Sequence, residues 1–252
     1  MGFKGKTAVV TGGAGGMGLA IARDLLAEEV QVTLLDLQEP PDGVPSGATF
    51  LKGDVTDEAF VADAMAQAFE PVERLDYLVN AAGVLWFGRD MSLVKVERNI
   101  WDQVLNINLN SMMLCCRHAV PLMLKTSSGK PESSGAMVHI SSIQALRGDD
   151  LPQDAYQASK AAMIALSKSL AIQYASAGIR SNSLLPAGTL SPMQQRWTDD
   201  PAKLKAANKA IPLGRVGTAQ DMADATLFLL STKASFITGT ELIVDGGVTA
   251  LP

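Results

Sequence analysis

Two cysteines, two histidines and an aromatic content of 5% leave a chain of 252 residues with little material for metal or redox chemistry. Cys115 and Cys116 are sequence neighbours, so no disulfide framework follows from them. Their run, NSMMLCCRHAV, reads as the buried side of a helix. His118 and His139 have no partner at ligand spacing, and no structural metal is expected. Basic clusters are also missing. Lysines and arginines are scattered and the net charge is −5, which argues against a nucleic-acid or anionic-membrane surface. No apolar run reaches the length of a membrane span. MGFKGKTAVV turns strand-like too early for a signal peptide, and Lys6 breaks the myristoylation pattern. The expectation is a cytoplasmic protein with neither nucleic-acid nor membrane partners.

Hydrophobic residues make up 47% of the chain and no Pro/Ser-rich linker divides it, so one domain over residues 1–252 is expected. Short β-branched or Leu-rich runs alternate with longer helical patterns. Strands are expected at Thr7–Val10, Gln31–Leu35, Thr49–Lys52, Leu75–Val79, Met137–Ile140, Ser181–Leu185 and Leu242–Val244. Helices are expected near Gly16–Ala27, Asp57–Phe69, Trp101–Leu124, Ala155–Ala175 and Ala219–Leu230. The alternation predicts an α/β Rossmann-type fold, a doubly wound parallel sheet with helices on both faces. Ligands of such a sheet bind beyond the carboxyl ends of its strands. Two segments break the rhythm. Thr126–Gly135, TSSGKPESSG, reads as a polar surface loop. Gly188–Pro212 carries Met193, Trp197 and a helical patch near Ala202–Ala210, and reads as a lid.

After the first strand comes Thr11–Gly18, TGGAGGMG, with five glycines in eight residues. Two dinucleotide fingerprints fit it: Gly13-x-Gly15-x-x-Gly18, and the longer Thr11-Gly12-x-x-x-Gly16-x-Gly18. Either sets unpaired N–H groups and a helix dipole against a pyrophosphate, and glycines let the backbone come close. Asp36 ends the second strand 18 residues beyond Gly18, near the spacing of an acid that binds the adenosine ribose. Its carboxylate would accept from the ribose hydroxyls and repel a 2′-phosphate, and Leu37 and Gln38 offer that phosphate no cation. NAD is therefore expected over NADP. The bland alternative is an Asp36 that only caps a turn.

Of the three tyrosines, only Tyr156 has a lysine four residues on, in Tyr156-Gln157-Ala158-Ser159-Lys160. On a helix the two share a face. An ammonium beside a phenol is expected to lower the phenol pKa from its usual value of about 10, making a usable general acid/base.

Together these residues resemble the short-chain dehydrogenase/reductase family over essentially the whole chain. The family's phosphate motif matches Thr11, Gly12, Gly16 and Gly18. That register assigns Gly12 to the turn, Gly16 with Met17 beside it to the pyrophosphate, and Gly18 to helix packing. It leaves Gly13 and Gly15 as loop positions, where alanine is expected to be milder than at Gly16. Asp54-Val55 matches the family's adenine site, and Val244-Asp245-Gly246-Gly247 its ending. Asn80-Ala81-Ala82-Gly83 is similar to its Asn-Asn-Ala-Gly, with Ala81 for the second Asn. Asn108, Ser142, Tyr156 and Lys160 match its catalytic tetrad.

The resemblance implies roles for each. Tyr156 exchanges a proton with the substrate oxygen, Ser142 orients that oxygen, and Lys160 lowers the tyrosine pKa and holds the nicotinamide ribose. Asn108 holds a water that links Lys160 to solvent. Ser141 remains a rival for the serine role. Cofactor contacts are also implied at Asn80, Ala81, Gly83, Pro186, Gly188 and Ser191, where Pro186-Ala187-Gly188 replaces the family's Pro-Gly and Ser191-Pro192-Met193 its Thr-Pro-Met. Ser142 and Tyr156 are 14 apart, one more than expected, so Arg147–Asp154 should bulge at the pocket mouth.

Trp86, Gln144, Leu151, Met193 and Trp197, with Ser142 and Tyr156, are the substrate-pocket candidates by family geometry, although the two tryptophans could equally be core. The set has one amide and no anion clamp. It implies a neutral, fairly hydrophobic secondary alcohol, cyclic or aryl-substituted, and its ketone. A 3-oxoacyl-thioester reductase is the enzymatic alternative, weakened by Asp36. A non-catalytic dinucleotide sensor or scaffold is the alternative from another class, weakened by the complete tetrad. The helix Ala155–Ala175 is apolar nearly all round, which together with the family's habit implies a homotetramer.

Overall fold

Thr7–Thr11 (β1) is buried along its whole length. Alternate side chains serve opposite faces of the sheet: Ala8 and Val10 enter one apolar cluster and Val9 the other. The computed structural model describes residues 2–40, 42–127 and 135–252. The loop expected at Thr126–Gly135 falls mostly on residues 128–134, outside the described residues, and Thr126 and Ser127 end a helix.

The remaining strands are Gln31–Asp36 (β2), Ala48–Lys52 (β3), Tyr77–Asn80 (β4), Ala136–Ile140 (β5), Arg180–Pro186 (β6) and Glu241–Val244 (β7). They form one seven-stranded sheet in the order β3-β2-β1-β4-β5-β6-β7, with every pair parallel. The chain reverses its winding between β1 and β4, so a crevice opens beyond their carboxyl ends.

Gly16–Ala27 (α1) and Ala219–Leu230 (α8) pack on one face through Ile21, Leu25, Met222 and Leu227. Glu58–Phe69 (α2), Ser111–Ser127 (α4) and Asp154–Tyr174 (α5) cover the other through Val61, Met65, Leu114, Met163 and Leu170. Arg98–Leu105 (α3) packs against the start of α5. The helix expected over Trp101–Leu124 contains a π turn at Asn106–Asn110 between α3 and α4. Such turns lack a spacing signature, which is why the sequence reads as one helix. Gln195–Thr198 (α6) and Pro201–Ala210 (α7) lie within the expected lid. Asp57, Thr218 and Asp200 accept first-turn N–H bonds at the starts of α2, α8 and α7. Buried Arg180 donates to the carbonyls of Leu229, Leu230 and Ser231, satisfying the end of α8.

No helix is long and apolar enough to cross a membrane among the described residues. Cys115 and Cys116 are buried in the core, where loss of solvent pushes the Cys116 thiol up to about 12 and the Cys115 thiol higher still.

A polar chain crosses this core. The Asn80 amide donates to Nδ1 of His139 at 3.0 Å, His139 Nε2 meets the Ser181 hydroxyl at 3.0 Å, and Ser181 meets Ser167 at 3.0 Å. With Nδ1 accepting, Nε2 carries the ring proton. Burial holds the His139 pKa down to about 3 against 6.5 for a free side chain. Below pH 6.5 the unfolded chain therefore takes up a proton that the folded one refuses, and stability falls with pH. Between pH 7 and pH 5 this group should remove about 2 kcal/mol of folding free energy. Urea unfolding of His139→Gln should lack that part of the loss. Equal losses in both proteins would contradict the assignment.

Candidate functional site

Beyond the carboxyl ends of β1, β4, β5 and β6 lies a cavity of about 790 Å³, within the range of small-molecule sites. At one end is the glycine loop. Gly12 sits at φ +67, and a side chain there would press on the Ala82 backbone nitrogen at 2.8 Å. Thr11 Oγ1 accepts from the Ala81 and Ala82 nitrogens at 3.1 Å each, tying β1 to the end of β4. A Cβ on Gly18 would run into the Gly12 carbonyl, which fits its packing role. Gly15 and Gly16 open toward the cavity, and α1 starts with no side-chain cap. The expectation for Gly13 needs correcting. A methyl group there would sit 2.9 Å from Cβ of fully buried Leu34, so alanine disturbs the core and is not mild.

Asp36 lines the cavity beside Leu37. Its two carboxylate oxygens accept from the Ala14 and Gln38 nitrogens at 3.0 and 3.1 Å. It thus does close a turn, and its remaining lone pairs stay available to the cavity. Met17, Asp54 and Val55 complete this end, and the Asp54 carboxylate is braced by Thr56. Of the expected cofactor residues, Gly12, Gly16, Gly18, Ala81, Gly83, Pro186, Gly188 and Ser191 also line the cavity. Asn80 does not: its side chain turns into the core toward His139, because it lies on the buried face of β4.

At the other end the start of α5 faces the turn after β5. Tyr156 and Lys160 are 7% and 5% exposed. Ser142 lies against the phenol, and Ser142 Oγ also accepts from the Gln144 nitrogen at 3.2 Å. Ser141 is not free for the rival role, since its hydroxyl donates to the Lys160 carbonyl at 2.8 Å. The expected lowering of the phenol pKa is not what this arrangement produces. Burial raises it, and the Ser142 hydrogen bond opposes that rise in part. The Lys160 ammonium lies 5.6 Å from the ring centroid and donates to the Ile140 carbonyl at 2.7 Å, away from the phenol oxygen. Burial also lowers the lysine itself, to about 8.

Asn108 stands on the π turn, fully buried and behind the cavity wall. Its oxygen accepts from the Val84 nitrogen, and its amide donates to the Val84 carbonyl and to Ser159. Both ends of the side chain are thus taken by protein groups. It pins α5 to the segment after β4.

Residues that sequence reasoning missed gather here. Asp90 is 1% exposed, and its carboxylate accepts from the Ala155 and Tyr156 nitrogens at 3.1 and 2.8 Å. It caps α5 from 65 and 66 positions away in the chain, so no local motif reveals it. All the expected substrate residues, Trp86, Gln144, Leu151, Met193 and Trp197, line the cavity. The Trp197 ring packs so closely on Gly188 that a Cβ would lie 2.6 Å from it, which anchors the lid. The expectation of a single amide is corrected, since Gln153 and Gln194 join Gln144, and Asp149 and Arg196 add charges of both signs to this wall. Arg196 stacks over the Phe87 ring at 3.9 Å. An arginine amid the apolar residues of Gly188–Pro212 was its only visible signal.

Removing the Asp90 carboxylate strands two N–H groups. Asp90→Ala should cost roughly 1–3 kcal/mol in urea unfolding, and Asp90→Asn, which keeps one acceptor, should cost less. Equal stability of Asp90→Ala and the parent would remove Asp90 from this role.

The family model described as enoyl-(acyl carrier protein) reductase matches residues 12–249. A probable short-chain type dehydrogenase/reductase of Bradyrhizobium diazoefficiens is 38% identical over 266 residues, covering 98% of this chain and 89% of its own. The cis-4-hydroxycyclohexanecarboxylate dehydrogenase of Sinomonas cyclohexanicum is 35% identical over 256 residues, covering 99% and 98%. Among solved structures, ligand-free aldohexose dehydrogenase of Thermoplasma acidophilum superposes with a TM-score of 0.90 at 29% identity, covering 99% of this chain and 96% of that one. Similarity of this extent, on a parallel sheet whose glycine loop and Tyr156–Lys160 pair face one cavity, makes the chain a member of the short-chain dehydrogenase/reductase family.

Proposed function

We propose that the chain is an NAD-dependent oxidoreductase interconverting a neutral secondary alcohol and its ketone. The observation that carries this is the meeting of Ser142, Tyr156 and Lys160 on one wall of a cavity whose far end holds Asp36. The residues fit a nicotinamide dinucleotide. The uncapped start of α1 and the open Gly15–Gly16 backbone would hold the pyrophosphate, and Asp36 the adenosine ribose. Asp54 and Val55 would border the adenine, and Lys160 would reach the second ribose. A bound nicotinamide supplies the hydride acceptor or donor.

The chain's own residues move the proton. Tyr156, held by Asp90 at its backbone, would take the hydroxyl proton during oxidation and return it during reduction. Ser142 would hydrogen-bond the same substrate oxygen and stabilise its developing charge. Lys160, which burial lowers to about 8 and which therefore stays mostly charged at neutral pH, would supply positive potential behind the phenol. Because burial holds the phenol above its ordinary range, oxidation should accelerate as pH rises and reduction as it falls.

The 3-oxoacyl-thioester reductase alternative shares this tetrad, but reductases of that kind favour the phosphorylated cofactor, which Asp36 opposes. A cytoplasmic location is part of the same proposal, as is a homotetramer through α5. Ile172, 80% exposed on that helix, with exposed Ala161 and Ala165, supports the assembly. Light scattering should give the mass of four chains, and a monomeric mass would refute it.

NADH formation from cyclic, aryl and aliphatic secondary alcohols tests the reaction. Tyr156→Phe should retain NADH binding and lose turnover by 100-fold or more, on the order expected for an acid/base group. NADP should be used at least ~10-fold less efficiently than NAD, as a like-charge clash at Asp36 requires. Comparable kcat/KM for the two would overturn the cofactor assignment.

A further inference from the structure

The lid is rooted on the segment that follows it. The Leu190 nitrogen donates to the Gly217 carbonyl at 2.8 Å, and the Gly217 nitrogen to the Gly188 carbonyl at 2.9 Å. Further on, the Val216 nitrogen donates to Oδ1 of Asn208 in α7 at 2.8 Å, and Leu213 to the Gly246 carbonyl at 3.1 Å. Between these roots the lid passes beside the glycine loop. A Cβ on Gly16 would lie 3.4 Å from Pro192, and one on Gly15 3.6 Å from it. A pyrophosphate held by that backbone would sit beside Pro192, so its departure requires this turn to give way.

The lid meets the opposite wall of the cavity through Arg196 of α6. Its guanidinium carbon stands 3.9 Å from the centroid of the Phe87 ring and 5.4 Å from that of Trp197. A cation over a ring face at this distance is attracted by the ring's quadrupole. Arg196 Nε donates to Gln194 Oε1 at 3.0 Å, which sets the plane of the group. Burial weighs against its charge, and the Asp149 carboxylate of the same wall offsets that cost. Phe87 is a fixed post. It stands in a turn closed by the Asp90 nitrogen on the Trp86 carbonyl at 2.9 Å, and the Asp90 carboxylate is bound to the start of α5. One half of the contact thus rides on the lid, and the other is tied to the helix that carries Tyr156 and Lys160.

We propose that the Arg196–Phe87 stack is a latch that holds the lid shut and sets the rate at which reduced cofactor leaves. The inference rests on the NAD-binding reading above and adds to it a residue pair that governs release. Planar stacking of a guanidinium on a ring is specific to the pair, and it can open and re-form without disturbing the sheet beneath.

In the test, the full chain loaded with NADH is mixed with excess NAD, and the loss of bound NADH fluorescence is followed by stopped flow. Arg196→Gln and Phe87→Leu should each release NADH at least ~3-fold faster, as loss of a cation–π contact implies. The double variant should be no faster than the faster of the two, because both changes remove one contact. Phe87→Tyr, which keeps the ring face, should release NADH as the parent does. Hydrogen exchange of the free chain supplies a readout without cofactor. In Arg196→Gln the lid amides should exchange faster, while those of β1 and α5 keep the parent's rates and show that the variant is folded. Unchanged release in both variants, additive effects in the double variant, or unchanged lid exchange in Arg196→Gln would overturn the latch. A parent that binds no NADH removes the cofactor reading instead, and lid exchange then decides whether the stack holds the lid.

Discussion

Two backbone N–H groups at the start of α5, those of Ala155 and Tyr156, donate to one buried carboxylate, and the reactive end of the cavity hangs on that contact. Tyr156 is the residue whose own nitrogen is held. The backbone from which its side chain projects is therefore held by a charge-assisted bond inside the protein. Further along the same helix, Ser141 grips the Lys160 carbonyl and Asn108 grips Ser159. Three polar tethers from three separate segments thus fix one helix, and the phenol and ammonium inherit their positions from it.

That fixity carries an energetic cost in buried charge. Lys160 sits in surroundings that favour its neutral form, and Tyr156 in surroundings that favour its protonated form. Both shifts come from the same loss of solvent. Burial thus drives the two apart in proton affinity, the amine downward from 10.5 and the phenol upward from 10.0, so the phenol holds its proton more tightly than the amine does. The His139 chain shows the contrasting use of burial. There every ring nitrogen has a partner, the ring stays neutral, and the result is order within the core without a reactive group.

The cavity divides by how its walls are made. The dinucleotide end is mostly backbone, with glycines bringing main-chain atoms forward and Asp36 closing it. The substrate end is mostly side chain, drawn from the turn after β5, the segment after β4 and the lid. Backbone walls constrain a shared ligand shape, whereas side-chain walls vary with few consequences for the sheet beneath them. The amides of Gln144 and Gln153 belong to this second kind.

Strand and helix alternation is a local property, and the sequence alone determined the seven strands, most of the helices and even the span of α1, though not the π turn that divides α3 from α4. The same holds for the glycine loop, Asp36 and the Tyr156–Lys160 pair, whose spacing is chemistry readable along one segment. What only the tertiary structure decided were contacts between distant segments. Asp90 reaches α5 across 66 positions, Asn108 spends its amide on Val84 and Ser159, and Asn80 turns inward to His139. Gly13 meets Leu34 from the next strand, and Arg196 and Asp149 arrive at one wall from α6 and from the segment before α5. The direction of the tyrosine shift was decided there as well. Spacing places an ammonium near a phenol, but burial and the carbonyl that captures that ammonium determine which way the proton affinity moves.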